Sequence, residues 1–309
     1  MFDLLIHRYI MDVQTSKPER LNKSSELTHL SKEVEMLIQG RTMKKYTKLN
    51  RWIIAAVALV GLTACGQKES SVIKIGATSG PHAQVVEAVA VEAKKQGLEI
   101  EVVEFSDYIT PNAALADGSI QLNSYQHLPF LQNFNKGHNS DLVSIGESIL
   151  MRMGIYSNKY SSLDDLPANA QVAIPNDPTN GGRGLLLLED AGLITLKPDV
   201  GFTATLHDIA ENPKGLKFIE VEAAQLPRSL DDVDAAAITM NYVMSAGLNP
   251  KEQGLFLEAK DAPLAVMVIA AREEDKANST YQKIVGIFQS QPVKDFMQET
   301  FNGTIEPAS

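Results

Sequence analysis

An α/β fold is predicted, on three observations. Short runs rich in Val and Ile alternate with segments of helical periodicity. Gly, Pro, Asn and Asp punctuate the junctions. Two apolar runs, 150–157 (LMRMGIYS) and 263–272 (PLAVMVIAAR), interrupt the alternation. Strands that alternate with helices favour parallel-rich sheets covered on both faces.

Residues 72–77 (VIKIGA) read as a strand, Ser79, Gly80 and Pro81 as a turn, and 82–96 as a helix with Pro near its first position and Gly97 at its end. The strand at 99–105 (EIEVVEF) completes a βαβ unit. Further strand-like segments follow at 141–145, 149–156, 171–174, 216–221, 235–240 and 266–271, with no internal repeat or low-complexity stretch. One doubly wound sheet could use them all. Alternatively, the two apolar runs are crossover strands joining two lobes, the first of residues 72–152 with 268–309 and the second of 157–264. A cleft would then lie where strand ends and helix N-termini of both halves meet.

Ahead of the first strand, 43–51 (MKKYTKLNR) is basic, 52–62 (WIIAAVALVGL) is apolar, and Leu62, Thr63, Ala64 and Cys65 follow with small residues before the cysteine. This is the pattern of a secretion signal, 43–64, and its apolar part is too short for the roughly 20 residues of a membrane-spanning helix. The last four residues resemble a bacterial lipobox, so Cys65 is expected to be lipidated, with 65–71 as a tether. A buried core cysteine is the competing explanation of Cys65, the chain's one cysteine. Lipid on that residue means anchorage to a membrane, facing outside the cytoplasm. Residues 1–42 read as an upstream extension, with translation starting at Met43.

The chain has 309 residues, 44% hydrophobic and 21% charged, with a net charge of −10. Residues 65–309 hold 18 Lys and Arg against 32 Asp and Glu. Nucleic acid is excluded as a partner, because phosphate binding needs clustered positive charge. No HExxH, P-loop, GxGxxG or GxSxG pattern occurs, and the histidines lie far apart, so no metal, cofactor or catalytic residue is assigned.

The richest stretch is 175–183 (PNDPTNGGR), followed by GLLLLEDAGL. A strand ends there, Thr179 or Asn180 can cap, and 185–191 reads as a helix stopped at Gly192. Arg183 is thereby placed in a first turn, beside the positive end of the helix dipole, where a ligand carboxylate would relieve the misfit. A surface turn with Arg183 paired to a local Asp explains the same spacing. Tyr125, His127 and Phe130 (within YQHLPF), with Tyr108 upstream, either line an apolar ligand pocket or belong to the core.

At these residues the chain resembles the MetQ/NlpA family of methionine-binding lipoproteins. The segments that carry the resemblance are 105–112 (FSDYITPN), 125–131 (YQHLPFL), 172–194 (VAIPNDPTNGGRGLLLLEDAGLI), 211–236 (ENPKGLKFIEVEAAQLPRSLDDVDAA) and 262–272. It implies a two-lobed periplasmic-binding-protein-like fold of type II, with a ligand cleft between the lobes. It further implies delivery of an amino acid, methionine first, to the permease and ATPase subunits of an ABC importer. By that resemblance Arg183 holds the ligand carboxylate, Tyr125, His127 and Phe130 line the side-chain pocket, and Tyr108 lies nearby. The family's INGNY pattern becomes Ile238, Thr239, Met240, Asn241 and Tyr242, so Thr239 stands at a usual Asn, and Thr239 and Asn241 are counted with the site. Val266 replaces a second ligand-facing Asn. Another small carboxylate or a peptide as ligand, an enzyme on the same fold, and a surface adhesin with a vestigial cleft are the rival expectations.

Overall fold

The computed structural model describes residues 72–308. The extension 1–42, the signal 43–64, Cys65 and the tether lie outside the described residues. The chain runs through β1 (Ile73–Thr78), α1 (Pro81–Lys95), β2 (Ile100–Phe105), α2 (Thr110–Ala116), β3 (Leu122–His127), α3 (Leu128–His138) and the long β4 (Leu142–Leu150). It then leaves for a second sheet with β5 (Met153–Tyr156), β6 (Gln171–Pro175), α4 (Pro178–Asp190), a small hairpin of β7 (Thr195–Leu196) and β8 (Ile209–Glu211), and β9 (Lys217–Val221). Next come α5 (Leu226–Ser229), β10 (Ala235–Thr239), α6 (Met240–Ser245), α7 (Pro250–Gln253) and β11 (Gly254–Leu257). The return leads to β12 (Val266–Arg272), α8 (Ser279–Phe288), α9 (Gln291–Phe301) and β13 (Glu306–Pro307).

Two large sheets result, ordered β13-β4-β12-β3-β1-β2 and β11-β5-β10-β6-β9. A single doubly wound sheet is thereby ruled out, and the architecture is α/β with two lobes. The sheets are mixed rather than parallel-rich. β1 pairs in parallel with β2 and β3, and β6 with β9 and β10. β12 and β5, the strands next to the passages between sheets, pair antiparallel with their neighbours. A strand that arrives from the other sheet needs no helical crossover, so nothing obliges it to run parallel.

Helix α1 forms as its sequence suggests. Pro81 opens it, Lys94 and Lys95 sit in its last turn, where positive charge suits the dipole, and Val85, Val86, Val89 and Ala93 are buried along one face. Gly80, at φ +94°, turns the chain from β1 into this helix.

Three expectations need correction. The apolar stretch at 149–156 is not one strand, because β4 continues to Leu150 and β5 begins at Met153. The strand β3 (LNSYQH) went unread because it is polar yet buried at all six positions. Its amides are satisfied within the protein. Asn112 Nδ2 donates to Gln126 Oε1 at 2.7 Å, Gln126 Nε2 donates back to Asn112 Oδ1 at 2.7 Å, and Asn123 Nδ2 donates to Asn112 Oδ1 at 2.9 Å. Such a network removes the cost of burying the groups and fixes the strand between α2 and β1.

The third correction concerns α4, which begins at Pro178 and not after the glycines. Asp177 is its N-cap, accepting from Asn180 N at 2.9 Å, so Thr179 and Asn180 are not the cap and Arg183 lies beyond the first turn. The carboxylate of Asp177 occupies the anion position at the helix start. Glycine disfavours helix by about 1 kcal/mol per residue, which is why the sequence places the start later. Packing reverses that preference, since a Cβ at Gly182 would meet the backbone oxygen of Phe202.

None of the described helices is long and apolar enough to cross a membrane. Substituting Gly182→Ala is expected to cost about 1–3 kcal/mol through overpacking against Phe202. Thermal unfolding reads this as a Tm fall of about 2–4 °C per kcal/mol.

Candidate binding site

The ends of β3 and β10 and the starts of α1 and α4 converge on one cavity. Of the residues expected at a site, Arg183, Tyr125, His127, Phe130, Tyr108 and Thr239 all line it. Asn241 does not. It is fully buried behind the cavity, where Nδ2 donates to Ser79 O at 3.1 Å and Oδ1 accepts from His82 N at 3.4 Å. Nor does Val266 line the cavity. His82, Gln126, Met151, Asn180 and Met267 complete the lining, and sequence reasoning assigned none of them a ligand role.

Aromatic rings form one wall. Phe130 meets Tyr108, Tyr125 and His127 edge-on, at centroid distances of 6.3, 6.1 and 6.2 Å. Tilted rings at this spacing attract through their quadrupoles and leave an apolar face for a ligand side chain. The two methionine side chains add a polarisable surface that suits another thioether or aliphatic chain.

His127 ends β3 and caps α3. Its Nδ1 accepts from Phe130 N at 3.2 Å, which puts the ring proton on Nε2, facing Asn180 Oδ1 at 3.1 Å. Asn180 in turn donates from Nδ2 to the carboxylate of Asp177 at 3.0 Å. Burial, helped by the charge of Arg183, lowers the His127 pKa to about 3. Burial alone does the same for His82, also to about 3. Desolvation likewise raises the phenols of Tyr108 and Tyr125, so both stay protonated.

Arg183 is 2% exposed. It is not paired to a local Asp but to Glu258, a residue the sequence reading overlooked. Nε donates to Glu258 Oε1 at 2.9 Å and Nη2 to Oε2 at 2.5 Å, while Nη2 also reaches Met151 O at 2.9 Å. Glu258 Oε2 further accepts from Met153 N at 3.0 Å. Met151 and Met153 flank the outgoing passage between sheets, and Glu258 opens the return. The guanidinium is thus fixed to both passages, and Nη1 makes no hydrogen bond to another described residue. Only the separation of 75 residues hid the pair.

Several hydrogen bonds bridge the two halves around the cavity. The hydroxyls of Tyr108 and Thr239 lie 2.8 Å apart, and Tyr242 donates to Ser106 O at 3.3 Å. Ser245 donates to Ser79 O at 3.1 Å, beside the bonds of Asn241 and His127 already described. Among the described residues no group of His, Cys, Asp and Glu is arranged to hold a metal ion.

Two lobes crossed twice by the chain, closed over an aromatic cavity that meets one guanidinium, define the substrate-binding class of two-lobed α/β proteins. Within that class the chain belongs to the NlpA lipoprotein family, whose model matches residues 73–309. The D-methionine-binding lipoprotein MetQ of Yersinia pestis is 46% identical over 259 residues, covering 81% of this chain and 95% of that protein. The membrane lipoprotein TpN32 of Treponema pallidum is 38% identical over 244 residues, covering 79% and 91%. A solved nutrient-binding protein from Burkholderia cenocepacia, bound to methionine, matches with a TM-score of 0.74 at 44% identity, covering 77% of this chain and 100% of that one.

Glu258→Ala leaves a buried guanidinium without its counter-ion and is expected to cost about 3–5 kcal/mol, measured by urea denaturation. The double variant Arg183→Met with Glu258→Leu should recover most of that loss. The two buried histidines set a pH dependence. Their folded-state pKa lies below the unfolded value, so the unfolded chain binds protons first and stability falls as pH drops from 6.5 towards 3. Each contributes a slope of about 1.4 kcal/mol per pH unit in that window. Urea denaturation at stepped pH should therefore give a shallower dependence for His127→Asn than for the wild type, and an unchanged slope would refute the burial account.

Proposed function

We propose that this chain is the extracytoplasmic solute-binding component of an ABC importer and that its cleft captures methionine. The observation that carries the reading is Arg183 in the lining of an aromatic cavity, its Nη1 without a partner among the described residues, in a chain similar to proteins named or solved as methionine binders. The ligand carboxylate takes the Nη1 edge, in a charge-assisted bond that the Glu258 pairing orients. The ligand side chain lies along Tyr108, Tyr125, His127 and Phe130, with Thr239 at the rim facing the other lobe.

Residues 72–152 with 268–309 form one lobe and 157–264 the other, and they hinge where the chain passes between sheets. Ligand that touches both lobes stabilises the closed state, and that shape is what permease and ATPase subunits would sense. Lipid on Cys65 holds the protein at the membrane, facing away from the cytoplasm. The protein binds and releases its ligand without transforming it. Asn241, which supports the turn before α1, acts on the ligand only through that turn.

Calorimetric titration with L-methionine tests the reading, using full-length protein in detergent after exhaustive removal of bound ligand. Micromolar or tighter binding is expected, a free energy of about −8 kcal/mol or better. Arg183→Ala should weaken it by about 30-fold or more, the usual loss for a buried charged partner. No heat from folded wild type would reject methionine, and an unaltered affinity in Arg183→Ala would reject the carboxylate role.

A further inference from the structure

Helix α6 leaves β10 in one sheet and packs on the turn between β1 and α1, which belongs to the other. Hydrogen bonds join them. Ser79 O accepts from Asn241 Nδ2 and from Ser245 Oγ, each at 3.1 Å, and His82 N donates to Asn241 Oδ1 at 3.4 Å. One turn of helix further round, the hydroxyl of Tyr242 donates to Ser106 O at 3.3 Å, in the loop after β2, and its ring lies 4.6 Å from that of Tyr108, centroid to centroid. Gly80 permits the approach, because a Cβ on it would run into the Ser245 hydroxyl. None of Ser79, Ser106, Asn241, Tyr242 and Ser245 lines the cavity. These bonds therefore hold the two halves together without touching anything bound between them.

We propose that α6 is a latch that sets how much of the protein is closed before a ligand arrives, so that Tyr242 and Ser245 tune the affinity for every ligand of the cleft by the same factor. The inference rests on the reading of the chain as a binding protein that closes over its ligand. When a ligand binds the closed form alone, its apparent affinity is the intrinsic one multiplied by the closed fraction. A contact made on closing raises that fraction whatever the ligand is. One neutral hydrogen bond moves such an equilibrium by about 2- to 10-fold. Tyr242 and Ser245 are thus positioning residues, acting on the ligand through the lobes and not by contact. Ser245 is exposed at the last position of α6, so its hydroxyl can be removed without opening a hole in the core.

The test titrates wild type, Ser245→Ala and Tyr242→Phe with L-methionine and with L-norleucine, by calorimetry on full-length protein in detergent after removal of bound ligand. Each variant should bind both ligands about 2- to 10-fold more weakly than wild type. The ratio of the two affinities should stay at its wild-type value. Neutron scattering with the detergent contrast-matched gives a second readout. Without ligand each variant should have a larger radius of gyration than wild type, and saturating L-methionine should bring them to the same value. A changed ratio would place the effect at the ligand and overturn the latch. Affinity or ligand-free radius equal to that of wild type would make the contact a fixed part of the hinge, and would overturn it as well. Wild type that binds neither ligand would defeat the amino-acid reading, and the ligand-free radius then decides alone: expanded variants support the latch, and unexpanded ones overturn it.

Discussion

Arg183 lies in the interior, and a guanidinium there is tolerated only with a counter-charge and hydrogen bonds on its donors. Glu258 supplies the charge, and the carbonyl of Met151 supplies a further acceptor. Glu258 is itself pinned by Met153 N. The cluster therefore draws together helix α4 and both passages of the chain between sheets. Removing either charged partner would leave the other buried and uncompensated, so the approach of α4 to both passages and the orientation of the guanidinium are consequences of the same pair.

Selectivity in such a cleft follows from how few groups remain unsatisfied. The charge of Arg183 is balanced by Glu258 before a ligand arrives. A zwitterion can then be enclosed without adding net charge, whereas a simple anion or cation adds one charge to a medium that stabilises it poorly. Thr239 and Tyr108 use their hydroxyls on one another, across the two halves, which makes the closing contact part of the pocket wall. The aromatic wall serves shape and dispersion and asks little of a ligand beyond an apolar chain of suitable length.

The strand β3 explains how the pocket stays rigid while carrying so many polar residues. Asn112 of α2 and Asn123 and Gln126 of β3 satisfy each other, and Tyr125, Gln126 and His127 of the same strand line the cavity. Reciprocal amide pairs of this kind have one good arrangement. A core of aliphatic residues in their place could slide, but this one fixes the register of the strand that carries the site.

Much of this was legible in the sequence. The period of apolar residues gave α1 and most strands, because burial of one helix face or of a whole strand writes itself into local spacing. The aromatic wall residues and Arg183 were legible as motif members, and all of them do meet in one cavity. The β3 strand was not legible, since its burial is satisfied by partners such as Asn112 and not by apolar periodicity. The start of α4 was missed for a related reason: three glycines argue against helix locally, and it is the close approach of Phe202 O to Gly182 and of Pro175 O to Gly181 that favours glycine there. Glu258 and His82 carry no local signal at all. One became visible only when 75 residues of chain folded back onto Arg183, the other only when the fold buried its Nδ1 without a partner among the described residues. Sequence by itself determined which segments would be buried and which family pattern they follow. Tertiary structure decided which buried polar atoms found partners, because hydrogen bonding and charge pairing depend on distance in space and not on distance along the chain.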